Sequence, residues 1–201
     1  MEKITPLIFD IKQLEVAAET DGLACYLLGR SYDSGENGVE QDLDKAVYWY
    51  QAGARLEDPR AIYGLGACYY FGDGVSEDKE KAYSLFVTAY QPLIELIEKE
   101  KNTPERQAFS EFCLGAYYYF GFGDVEADIE KAYQLIYNAA MKGHMAAIYD
   151  LGANFYYIGN GTKQDLEKSQ YFLELAASYQ LPRAKRKLLE YQKTYLKRGA
   201  K

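Results

Sequence analysis

A chain of 201 residues with 48% hydrophobic and 26% charged content has the balance of a folded soluble protein and enough apolar material for a continuous core. The net charge of −7 is laid out unevenly, because Pro182 to Lys201 hold eight basic residues and one acidic one, which leaves −14 for everything before. No stretch approaches the roughly 18 apolar residues of a membrane span, and MEKITPLIFD, with its brief apolar run, is not a secretory signal, so a cytoplasmic location without membrane contact is expected.

Leu7 to Glu19 reads as one helix, a half-hairpin over residues 1–22 that caps the rest of the chain. From Leu23 the chain repeats. Leu-Gly recurs at Leu28-Gly29, Leu65-Gly66, Leu114-Gly115 and Leu151-Gly152, at intervals of 37, 49 and 37 residues. Lys45-Ala46, Lys81-Ala82, Lys131-Ala132 and Lys168-Ser169 keep the same phase. Apolar residues around each pair of anchors fall at helical spacing twice over, as in Ala61, Ile62, Leu65 and Tyr69, then Ala82, Leu85, Phe86 and Ala89. Each half is too short to bury its apolar face alone, so the unit is a helical hairpin that needs neighbours. The repeats are assigned to 23–59, 60–107, 108–145 and 146–181, with a basic cap helix over 182–201 whose apolar face holds Ala184, Leu188, Tyr191 and Tyr195.

An interior glycine costs a helix about 1 kcal/mol relative to alanine. Its fourfold recurrence at Gly29, Gly66, Gly115 and Gly152 predicts close approach of the second helix. Asp42, Asp78, Asp128 and Asp165 precede the lysine anchors by three residues, the place of an N-cap, so four equivalent carboxylates are read as caps rather than catalysts. The glycine-rich turns at 34–39, 71–75, 120–125 and 158–162 follow helices and lack a Gly-Lys-Ser/Thr ending, which excludes a phosphate loop. Between repeats two and three the spacing grows by 12 residues, and the extra segment, Gln91 to Gln107, is expected to prolong the second helix past its neighbours and to be dispensable for folding, either as a tolerated insertion or as a contact element for binding.

The pattern Ala61-x-Tyr63-x-Leu65-Gly66-x-x-Tyr69-Tyr70-x-Gly72-x-Gly74-Val75-x-x-Asp78-x-x-Lys81-Ala82, with AAMKGH at Ala139 to His144, resembles the Sel-one-like repeat, a relative of the tetratricopeptide repeat. The resemblance covers about Leu23 to Leu181. Departures are Ser110 for alanine in repeat three, and Ser169 for alanine and Thr162 for valine in repeat four. It implies an all-α, right-handed superhelical solenoid of about ten helices that acts as an adaptor or scaffold for another protein or an extended peptide. In that geometry the positions three before and one and four after the anchor glycine line the concave face. Here they are Tyr26, Arg30 and Asp33; Tyr63, Ala67 and Tyr70; Phe112, Ala116 and Tyr119; Tyr149, Ala153 and Tyr156. Tyr70, Tyr119 and Tyr156 are expected to form one aromatic strip. Twenty-one tyrosines in the chain have two readings, partner contact and packing between hairpins, and both stay open at this point.

Catalysis is not expected. The single histidine, His144, falls where the repeat pattern itself carries Gly-His, and no nucleophile motif lies near it. Cys25, Cys68 and Cys113 sit at three different repeat positions, which makes neither a disulfide pattern nor a metal-ligand set, so reduced buried thiols and no metal or cofactor are expected. Two other functions stand beside the adaptor. One is an immunity protein masking a basic toxin, which suits the acidic body. The other is a hydrolase akin to the penicillin-binding, cysteine-rich branch of the family, disfavoured because the cysteines do not pair within repeats. Nucleic acid is a weaker reading of the basic end.

Overall fold

The computed structural model describes residues 4–193, which are helical throughout apart from turns and an extended amino-terminal segment. The order is α1 (Ile11–Ala17), α2 (Gly22–Ser34), α3 (Leu43–Arg55), α4 (Pro59–Phe71), α5 (Lys79–Lys99), α6 (Pro104–Phe120), α7 (Ile129–Met141), α8 (Met145–Asp150), α9 (Leu166–Ser178) and α10 (Pro182–Tyr191). Helix α8 runs straight on into a π-helical stretch, Leu151–Tyr156. Pairs α2–α3, α4–α5, α6–α7 and α8–α9 are the four hairpins, stacked as a helical solenoid.

Each second helix starts the way its sequence requires. The carboxylates of Asp42, Asp78, Asp128 and Asp165 accept the backbone N–H of Lys45, Lys81, Lys131 and Lys168 at 2.9–3.1 Å, satisfying one donor that a helix start leaves free. The anchor glycines then meet the second helix five residues beyond each lysine. A β-carbon on Gly29 would come within 2.5 Å of the Tyr50 ring, on Gly66 within 2.8 Å of Phe86, on Gly115 within 2.8 Å of Ile136, and on Gly152 within 2.9 Å of Leu173. The missing methyl group is what lets the two helices of a hairpin lie this close.

Much of the aromatic excess is core. Phe86 stacks on Phe122 with ring centroids 4.0 Å apart, and the buried Tyr117 donates its hydroxyl to the Phe86 carbonyl at 2.8 Å. Two buried clusters run through the solenoid, one across the first three hairpins and one across the last two.

Three expectations are corrected. The amino-terminal helix is shorter than Leu7 to Glu19, because residues 4–10 are extended: Leu7 N–H donates to the Gly143 carbonyl at 2.9 Å, Phe9 N–H to Asn37 at 3.1 Å, and Phe9 packs on Phe109. This strap joins repeat one to the third and fourth hairpins, so the segment does more than cap one end. The 91–107 insertion does prolong α5 through Pro92, and it also lengthens the start of α6. It does not project. Leu93 is fully buried, and Glu100 is buried against Arg60. Arg60, 2% exposed, bonds Asp58 through Nε at 3.0 Å and Nη2 at 2.6 Å, and reaches both Glu100 oxygens through Nη1 at 3.0 and 3.2 Å. Ser110 and Arg106 also donate to Glu100. The third correction concerns repeat four. The anchor glycine lies six residues before the left-handed cap glycine in three repeats (Gly35, Gly72, Gly121) but seven before Gly159. The extra residue is taken up by the π-helical turn, as a single inserted residue in a helix typically is. The expected apolar face of the last helix holds for Ala184 and Tyr191, which are buried, while Tyr195 lies outside the described residues.

This packing sets two expected outcomes. Gly66→Ala is expected to destabilise by about 1–3 kcal/mol, as overpacking does, against a helix-propensity gain of about 1. Phe86 is held by Phe122, Tyr63 and Tyr117 and has nowhere to move, and a melting temperature above wild type would refute the close-approach account. Glu100→Ala is expected to cost about 3 kcal/mol in urea unfolding, because it leaves a buried guanidinium short of a partner. Deleting the inserted residues should cost at least as much, the reverse of dispensability.

Candidate functional site

The concave face forms a half-open cavity of about 680 Å³. It narrows because the solenoid returns on itself. Pro182, at the start of α10, lies against the Gly35 turn of repeat one, and Arg30 of α2 reaches the His144 ring at 3.1 Å. His144 is 0% exposed, its Nδ1 accepts the Ala147 N–H as the N-cap of α8, and its ring stacks on Phe112 at 4.2 Å. Burial, helped by Arg30 and Arg183, holds its pKa well below the ordinary value, so it is neutral at physiological pH. A neutral ring has one acceptor nitrogen, so the cap at Nδ1 and the Arg30 guanidinium at Nε2 compete for one lone pair, and both contacts hold the ring in a structural place.

Tyr63, Phe112, Tyr119 and the edge of Arg30 line the cavity, with Ala67, Ala116 and Asp33 between them, as their repeat positions require. Tyr26 also borders the cavity, though only 1% exposed, and its hydroxyl accepts from the Cys113 thiol. Tyr149 lies one layer out, under Arg183, whose guanidinium carbon is 4.5 Å from the ring centre. Tyr70 turns to the outer side, against Phe122 at 5.0 Å and under the Lys79 ammonium. Tyr156 is 4% exposed and stacks on Phe172 at 5.6 Å. The strip of Tyr70, Tyr119 and Tyr156 does not form.

For Tyr156 the π-helical turn is the reason. Asp42, Asp78 and Asp128 donate their N–H to the carbonyls of Tyr32, Tyr69 and Tyr118, three residues past the anchor glycine. In repeat four Asp165 donates to Tyr156, four residues past it. Lysines reach over the same rings, Lys45 over Tyr32, Lys81 over Tyr69, Lys131 over Tyr118 and Lys168 over Tyr156. Tyr156 therefore occupies the place of Tyr118, and repeat four lines the cavity with Asp150, Asn154 and Phe155 instead.

Sequence spacing missed several wall residues: Phe71 and Phe120 at the mouth, Asp73 on a turn, Asp150 and Asn154 on the shifted helix, and Arg183 and Arg186 from α10. Phe71 and Phe120 are 50% and 49% exposed and 5.9 Å apart. They stand one residue after Tyr70 and Tyr119, so the aromatic signal is present in the sequence one position away. Burial pushes the Asp150 carboxyl up to about 6 and raises Asp33 as well, with the Arg183 charge working against both shifts. Asp150 accepts one hydrogen bond, from Asn154 at 3.2 Å. Nε and Nη2 of Arg183 are buried without a hydrogen-bond partner.

Among the described residues no three His, Cys, Asp or Glu side chains are grouped to hold a metal ion, and no helix is long and apolar enough to cross a membrane. The three cysteines are free and buried, with burial pushing Cys68 and Cys113 up to about 12, far from the range of a reactive thiolate.

The Sel1 repeat family model matches residues 22–58, 59–91, 108–144 and 146–178, which are the four hairpins described above. Among solved structures, the chain is 26% identical to c5321, a protective antigen of uropathogenic Escherichia coli strains displaying an SLR fold, over 85% of this chain and 33% of that one, with a TM-score of 0.40. It is 28% identical to a Sel1 repeat protein from Oxalobacter formigenes, over 90% of this chain and 48% of that one, with a TM-score of 0.40. The chain thus spans between a third and a half of the length of these proteins. With four repeat matches covering well over half of its residues, the chain belongs to the Sel1 repeat family.

Proposed function

We propose that this chain is a non-catalytic adaptor that binds a segment of another protein at the mouth of its central cavity. Sel1 repeat proteins generally mediate protein–protein interaction, and one observation carries the reading to this surface. Phe71 and Phe120, on equivalent positions of adjacent repeats, leave half of their ring surface in water beside a concave opening walled by Tyr63, Phe112 and Tyr119. A soluble repeat array needs no exposed phenylalanine pair for packing, while rigid aromatic anchors next to a pocket are what interfaces concentrate. On this reading the partner meets Phe71, Phe120, Tyr119, Tyr63 and Phe112, with Arg30 at the floor.

Capture of partners from the source cell by the purified chain, followed by mass spectrometry, tests this. Phe71→Ala with Phe120→Ala is expected to weaken the captured complex tenfold or more, about 1.4 kcal/mol or above, while melting within a few degrees of wild type. Undiminished capture by a folded double variant would move the binding surface elsewhere.

Asp150 gives a second check, since binding surfaces often carry groups that cost stability. Its folded pKa of about 6 exceeds the ordinary carboxylate value of 3.8, so the folded state holds a proton that the unfolded chain has already lost between those values. Stability therefore falls as pH rises from about 4 to 6 and stays reduced above. Asp150→Asn is expected to be more stable than wild type by about 1–2 kcal/mol at pH 7.5 and to lose that advantage near pH 3.5, read from urea unfolding at the two pH values.

A further inference from the structure

The charges around the cavity exceed what the solenoid needs to hold its shape. Asp33, Glu40, Asp73 and Asp150 line the opening together with Arg183 and Arg186, and Arg30 is already paired with the half-buried Glu36 at 2.8 Å. Negative charge is left in excess. Asp33 and Asp73 form no ion pair among the described residues, and the single hydrogen bond to Asp150 comes from a neutral amide. On the same wall, Arg183 presents buried N–H groups that have no acceptor. The Arg183 N–H atoms are buried, and such groups are normally satisfied, so they point to an acceptor that completes them, while the half-buried carboxylates offer uncompensated charge beside them.

Different ligands would complete different parts. A free anion would meet Arg183 but also the surplus of carboxylates. A metal ion would need a grouped ligand set, which the described residues do not supply. A basic amino-acid residue inside a polypeptide has both complements in one unit: a cationic side chain for the carboxylates and, a few bonds away, a backbone carbonyl for Arg183. The rings of Tyr63, Phe112 and Tyr119 add π faces, which favour a cation over a neutral group of the same shape. A volume of about 680 Å³ lies within the range of pockets that enclose small organic groups.

We propose that the central cavity is a receptor for an arginine or lysine side chain of the bound segment, with Asp33 and Asp150 taking the cation and Arg183 the adjacent backbone carbonyl. This rests on the partner-binding reading of the same opening. It adds a specificity rule: the segment that crosses Phe71 and Phe120 carries a basic residue that enters the cavity, and the acidic balance of the chain before Pro182 draws such segments in.

The probe is N-acetyl-arginine amide, compared with N-acetyl-citrulline amide, which keeps the shape without the charge, and with N-acetyl-glutamate amide as the anion. Each is titrated into the full chain at pH 7.5 and followed by heteronuclear NMR. The arginine compound is expected to bind with a Kd on the order of 1 mM, as befits a fragment of this size, and at least tenfold more tightly than either comparator. The shifts should centre on residues 30–33, 63–71, 112–120 and 150–155. Asp33→Asn with Asp150→Asn is expected to weaken it at least tenfold. Each single variant is run beside the pair, and either one showing a tenfold loss supports the assignment if the pair fails to fold. Equal binding of the citrulline compound, tighter binding of the glutamate compound, shifts centred elsewhere, or no binding at 20 mM would each overturn the proposal. If the probe fails while partner capture still depends on Phe71 and Phe120, the basic side chain falls and the partner surface stands. If the probe binds as described while capture ignores those phenylalanines, the cavity assignment holds and the mouth is not the docking rim.

Discussion

The distance between the two helices of each hairpin is the constraint on which the rest depends. A side chain at Gly29, Gly66, Gly115 or Gly152 would overlap Tyr50, Phe86, Ile136 or Leu173, so each first helix is seated at one depth on its second. With that depth fixed four times, the first helices lie side by side and their exposed stripes form one inner wall. The carboxylate caps of Asp42, Asp78, Asp128 and Asp165 fix where each second helix begins, and hence which residue meets the glycine. Spacing, cap and glycine act as one device, repeated.

How this repetition ends is equally physical. A stack of identical hairpins would continue its curve and leave an open groove. Here the extended residues 4–10 cross from repeat one to Gly143, Arg30 reaches His144, and α10 returns to the turn at Gly35. These contacts join the first repeat to the last and turn the groove into a cavity. The insertion contributes at the far side. Arg60 takes a place where the other repeats carry Leu23, Phe109 and Ala146, and the Glu100 of the insertion is what makes a charge tolerable there. A buried charge stripped of a partner costs several kcal/mol, so the Arg60–Glu100 pair ties this segment into the fold.

The repeat count, the anchor glycines, the caps and the helical class were legible in the sequence because each is a local pattern seen four times. Tyr63, Phe112, Tyr119 and Arg30 were legible for the same reason, since a regular helix keeps equivalent positions on equivalent bearings. Tyr156 was not, because one inserted residue between Gly152 and Gly159 breaks that equivalence, and the signal was the seven-residue interval where the other repeats have six. Arg60–Glu100 was hidden by a separation of 40 residues, although an arginine at an apolar repeat position marked the site. Asp150 was hidden by the same inserted residue, and Arg183 by curvature. Which residues meet across the cavity depends on how far the solenoid turns in four repeats, a global quantity that no local spacing encodes.

The mixed character of the wall bears on selectivity. An all-apolar cavity of this size would accept any greasy side chain, and specificity would rest on shape alone, where one methylene discriminates by only about 1–3 kcal/mol. Buried groups that are left unsatisfied act more sharply, because the wrong occupant leaves them unpaired and dry. Asp150 already carries such a penalty in the free protein, in a carboxyl pushed up to about 6. An occupant that removes the penalty gains it back as affinity, and one that seals the cavity without removing it suffers the penalty in full. On the proposed reading, the same charges that lower the stability of the free solenoid set which segments it holds, and the phenylalanines at the mouth supply the contact area.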